Sequence, residues 1–158
     1  MGTSSQLFPE TSKHVRTPQA SATRVGLIAG AATAGVLIGL GLRHGTALQP
    51  FAATGRIMLS AVAGRLPETV LAFAGAVIHF AVATFLAWCA VKLVKHVGGR
   101  ALIGAVAVAL VAWVASTWLF PTGLRALTAD LSFGQQLVYY SVLGITLWGG
   151  IRLASDEE

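Results

Sequence analysis

Four stretches almost free of charge, Val25–Leu42, Thr69–Val91, Ala101–Phe120 and Phe133–Ile151, fill about half of a chain of 158 residues. Crossing a hydrocarbon layer roughly 30 Å thick takes about 20 apolar residues in helical form. Backbone that meets lipid must satisfy its own hydrogen bonds, so each crossing has to be a helix or part of a closed barrel. Runs of this length predict an all-α integral membrane protein with four transmembrane helices.

Composition agrees. Apolar residues make up 55% of the chain and charged residues only 11%, against about a quarter charged in a soluble domain. The net charge is +5, but the cations lie in the tail and in loops between apolar runs, not on one basic and aromatic surface. That placement indicates contact with a lipid bilayer and argues against nucleic acid. The single cysteine, Cys89, excludes an internal disulfide, and Asn is absent, so there is no N-glycosylation acceptor. Arg outnumbers Lys, and Ala, Gly and Val abound, a weak pointer to a bacterial, GC-rich source.

Cation placement sets the expected orientation. Lys13, Arg16, Arg24, Lys92, Lys95, Arg100 and Arg152 fall on one side, and Arg43, Arg56, Arg65 and Arg125 on the other. The richer side is expected in the cytoplasm, with both termini there and the chain in the cell inner membrane. Aromatics are expected as interfacial anchors: Trp88 and Trp148 at the inner surface, Trp118, Phe120, Tyr139 and Tyr140 toward the outer.

Residues 1–24, rich in Ser, Thr, Gln and Pro, read as a disordered cytoplasmic tail. Residues 25–153 read as the transmembrane domain, and 154–158 as an acidic C-terminal tail. Gly45-Thr46-Ala47 resembles a signal-peptide cleavage site, but the preceding run is too long and Arg43 and His44 intervene, so an uncleaved first helix is expected. Between the first two spans, Phe51–Leu66 puts Phe51, Met58, Leu59, Val62 and Leu66 on one face and Arg56 and Ser60 opposite. This predicts a short amphipathic helix, either lying in the outer interface or packed over the bundle as a lid.

A shift of sixty residues aligns Ile78-His79-Phe80-Ala81-Val82 with Val138-Tyr139-Tyr140-Ser141-Val142. It also aligns Trp88 through Leu93 with Trp148 through Leu153. The chain therefore reads as two helical hairpins related by an internal repeat. Gly26, Gly30, Ala31, Gly35 and Gly39 give the first span small residues through which another helix can approach, either a neighbouring span or a second copy.

His79 is the one ionisable residue deep in a span, and such groups are functional candidates. Its helical neighbours Ala72, Gly75, Ala76, Val82 and Ala83 are mostly small. Two readings follow: an imidazole hydrogen-bonded within the bundle to Ser116, Thr117 or Tyr139, or a ligand to haem or a chlorophyll-type pigment. Gly75 four positions before His79 resembles the arrangement in light-harvesting polypeptides, although those have a single span and the rest of their pattern is absent here.

All six acids, Glu10, Glu68, Asp130, Asp156, Glu157 and Glu158, lie outside the spans, so no buried carboxylate pair is available for acid/base chemistry. His44, Glu68 and Asp130 have no metal-ligand spacing, and no phosphate loop or nucleophile elbow is present. A non-catalytic accessory, scaffold or assembly component of a membrane complex is therefore expected. The alternatives are an oligomeric permeation unit for small solutes or ions, and a tetrapyrrole binder through His79.

Overall fold

The computed structural model describes residues 18–98, 100–119 and 131–155, and every described element is helical. Helix α1 is Pro18–His44, α2 is Gln49–Met58, α3 is Glu68–His96, α4 is Ala101–Val114 and α5 is Phe133–Ser155. A 3₁₀ turn, Ala63–Arg65, precedes α3, and a π-helical segment, Ala115–Leu119, extends α4. Three helices are long and apolar enough to cross a membrane: α1, α3 and α5. Residues 1–17, Phe120, Arg125, Asp130 and the acids 156–158 lie outside the described residues, as does the side chain of Trp118.

Helix α1 starts at Pro18, seven residues before the apolar run and inside the segment expected to be tail. Proline suits a first turn, where its missing N–H bonds nothing anyway. Helix α5 opens on a reciprocal cap. The Gln135 amide N–H reaches Ser132 Oγ at 3.4 Å, and the Ser132 N–H reaches Gln135 Oε1 at 2.8 Å.

The four long elements form a ring in which α1 packs on α3 and α5, and α4 packs on α5 and α3. The half at the His96 end of α3, termed inner as a label only, is filled from all four, with Ala29, Ala87, Ala105, Leu143 and Leu147 among its buried residues. The opposite half, termed outer, is built differently: Leu37, Phe51, Ala52, Leu71 and Tyr139 belong to α1, α2, α3 and α5, and among the described residues α4 takes no part.

Helix α2 occupies that outer position. It buries Phe51, Ala52, Thr54 and Gly55, while Ile57, Met58 and Val62 are exposed. The helix expected over 51–66 thus stops at Met58, and a different face is covered. Glycine explains both. A Cβ on Gly55 would collide with the Leu71 carbonyl, and one on Gly75 with the Phe51 carbonyl. Two backbones meet with nothing between them, the close approach that drives helix association when lipid supplies no hydrophobic gradient. Since Phe51 meets Gly75 and Gly55 meets Leu71, α2 runs antiparallel to α3, and its start lies further along α3 than its end.

The small residues of α1 split into two rows. A Cβ on Gly26 would strike Thr84, and one on Gly30 would strike Phe80, so both face α3. Ala31 is exposed, and no atom lies within 4 Å of a Cβ at Gly35 or Gly39. The single step from Gly30 to Ala31 turns the helix by about 100°, and the further four-residue steps carry the second row round to the far side. Among the described residues nothing packs on Gly35 or Gly39.

Gly75→Ala should lower stability in detergent by about 1–3 kcal/mol, since α2 must shift from α3. Gly35→Leu should leave it within about 0.5 kcal/mol. Thermal melts of the three proteins check both outcomes, and equal melting of the Gly75→Ala variant and the parent would contradict the close crossing.

Candidate functional site

His79 sits where α1, α2, α3 and α5 converge, and it is 1% exposed. Its Nε2 lies 3.0 Å from the Gly30 carbonyl and 3.1 Å from Thr33 Oγ1, both on α1. A carbonyl oxygen only accepts, so Nε2 carries the proton and the imidazole is the Nε2–H tautomer. The Thr33 hydroxyl donates to the Ala29 carbonyl at 2.7 Å, which leaves its oxygen free to accept from His79. Thr33 is the partner that the sequence reading missed, having named Ser116, Thr117 or Tyr139. Thr33 lies in a glycine- and alanine-rich run, and the only signal was its spacing: Gly26, Gly30, Thr33 and Leu37 form one row of α1.

Nδ1 has no hydrogen-bond partner among the described residues. Rings surround the imidazole instead: Phe51 at 5.7 Å, Phe80 at 5.6 Å and Tyr139 at 6.3 Å between centroids, all edge to face. Such pairs are favourable beyond simple area burial. The small-residue face beside His79 is taken. Gly75 is closed by Phe51 of α2, and Ala83 lies against Gly30 of α1. The residues around His79 therefore do not fit a tetrapyrrole.

Ser116 and Thr117 serve α4 and α5. Both hydroxyls donate to the Trp113 carbonyl at 2.8 Å, and this local competition for one acceptor coincides with the π-helical turn. The Tyr140 hydroxyl donates to Ser116 Oγ at 2.7 Å, and Trp113 Nε1–H to Gln136 Oε1 at 3.3 Å, tying the outer part of α4 to α5.

The expected interfacial anchors divide accordingly. Tyr139 is buried in the bundle, and Tyr140 is half-buried with its hydroxyl donating to Ser116 Oγ. Trp88 is partly exposed with the Lys92 ammonium 3.9 Å from its ring, and Trp148 has the Arg152 guanidinium at 5.8 Å. Both carry a cation one turn further on, as an amphipathic ring near a charged surface allows.

Cys89 is a half-buried free thiol. Among the described residues, no three of His, Cys, Asp and Glu gather where they could hold a metal. Comparison with protein-family models, with curated proteins and with solved structures finds no match to this chain.

If packing rather than hydrogen bonding holds His79, His79→Leu should change stability by less than about 1 kcal/mol. The Gly30 carbonyl keeps its helical partner, and the unpaired Nδ1 is removed. His79→Ala should cost about 2–4 kcal/mol through the cavity it leaves. Melting of the two variants beside the parent checks this, and equal large losses would mean that the hydrogen bonds dominate.

Proposed function

We propose that this chain is a four-span inner-membrane protein with both termini in the cytoplasm, acting as a non-catalytic accessory or assembly component of a membrane complex. The observation that carries this reading is the filled interior of the bundle. Leu37, Leu143 and Leu147 are fully buried along it, and its one imidazole is engaged by Gly30 and Thr33. A bundle whose described interior is closed by apolar side chains offers its chemistry outward. On that outside lies the Ala31, Gly35 and Gly39 row of α1, uncovered by the described helices and small enough for close approach by a helix of a partner protein or of a second copy.

The fourth span is α4 continued by its π segment. The 14 and 5 residues of these two elements reach about 28 Å at 1.5 Å per residue, close to the hydrocarbon thickness. A duplicated hairpin accounts for the ring. Positions sixty apart are buried alike in α3 and α5, His79 with Tyr139, Ala83 with Leu143 and Ala87 with Leu147.

Orientation is tested by impermeant thiol labelling of intact cells in a Cys89→Ala background. A cysteine at Gly134 should label and one at His96 should not; labelling of both from the same side would remove the fourth crossing. Function is tested by affinity purification from native membranes. Stoichiometric recovery with another membrane protein is expected, whereas a chain that purifies alone and carries solute flux in proteoliposomes would overturn the accessory reading in favour of permeation.

A further inference from the structure

Helices α3 and α4 part company halfway along their length. At the inner end they are locked, with a Cβ on Gly104 running into the Val94 side chain. Toward the outer end α2 occupies α3, while Ser116 and Trp113 hold α4 to α5. Between the diverging helices runs a groove of about 830 Å³, open along one side and floored by Tyr140 and Leu143 of α5. Its α3 wall extends from Ile78 to Leu93 and its α4 wall from Ala107 to Ala115. Fifteen residues separate Ile78 from Leu93, so the groove is about 22 Å long. The volume is that of a small-molecule site, but almost every lining atom is apolar and the surroundings are hydrocarbon.

At the end where α3 finishes, His96 lies three and seven residues beyond the groove residues Leu93 and Cys89, hence on the same helical row. Arg100, exposed, immediately precedes α4, seven residues before the groove residue Ala107. The exposed Lys92 follows Trp88, over which its ammonium lies at 3.9 Å. Basic clusters beside gaps between transmembrane helices are where anionic lipid headgroups bind. Bulky Phe85, Leu86 and Val111 line the groove, so a second helix could not bring its backbone close there. A flexible chain can.

We propose that the α3–α4 groove is a binding site for an anionic phospholipid, its acyl chain lying between α3 and α4 and its phosphate held by Lys92, Arg100 and His96.

Cys89 lines this groove and is the protein's only thiol, which makes it a built-in reporter. The full chain, purified in detergent, is treated with N-ethylmaleimide after addition of phosphatidylglycerol or phosphatidylcholine micelles. Phosphatidylglycerol should slow Cys89 labelling at least fivefold more than phosphatidylcholine, and the difference should vanish in the Lys92→Gln/Arg100→Gln variant. In native mass spectra the parent should retain phosphatidylglycerol selectively, and Val111→Trp, which fills the groove and keeps the cations, should lose it. Equal protection by both lipids in the parent overturns the proposal whatever the variants do. So does protection that rises with protein concentration without lipid, which would put a second copy in the groove.

Discussion

Gly55 and Gly75 bring the backbones of α2 and α3 into direct contact, and the outer half of the molecule is arranged around that crossing. In lipid, two helices gain little by hiding apolar surface from each other. What holds them is the density of contact, which rises steeply as the axes approach. A ten-residue helix gains enough from such an approach to settle beside α3 and extend a phenyl ring to His79. Once α2 is seated there, α4 has no access to the outer half of α3. It leans instead on α5, through the Tyr140–Ser116 and Trp113–Gln136 bonds. The gap between α3 and α4 is the geometrical remainder of that choice.

The polar groups at the centre follow the same economy of placement. Thr33 first satisfies its own helix through the Ala29 carbonyl and then offers its oxygen to His79 on α3. One hydroxyl on α1 therefore fixes the rotational setting of α3 relative to it. A hydrogen bond of this kind between membrane helices contributes modestly to stability, about 0.6 kcal/mol on average. Its value here is in register: a rotation of α1 by one residue would remove Thr33 from His79 and bring Ala34 in its place.

Much of this was legible in the chain. Charge-free length alone located α1, α3 and α5, because a membrane span is a requirement on composition and not on particular neighbours. The prominence of His79 was legible as well, since an imidazole amid Ala and Val stands out. Its partner was not. Thr33 looks like any small residue of α1 until the pairing of α1 with α3 is known, and pairing depends on which glycines meet which backbones. Gly26 and Gly30 face α3 whereas Gly35 and Gly39 face outward, yet the two sets are alike in type and spacing. The pairing of the Tyr140 hydroxyl with Ser116 was hidden for a related reason, since it depends on how α4 meets α5. The end of α2 at Met58 was hidden because apolar periodicity persists to Leu66 while the close contact with α3 is finished by Gly55.

The unequal lengths of adjacent helices bear on the membrane itself. The 29 residues of α3 make a rod of about 43 Å, beside an α4 and π segment of about 28 Å. The uncharged part of α3, Thr69–Val91, is about 35 Å long and fits a 30 Å hydrocarbon layer at a tilt of roughly 30°. As the proposed fourth span, the shorter neighbour would cross the same layer only when nearly upright. In that reading two helices locked at Val94 and Gly104 but matched to the layer at different inclinations diverge, and a thicker bilayer would draw them back toward parallel. Bilayer thickness thus becomes a mechanical variable that opens or narrows the angle between α3 and α4.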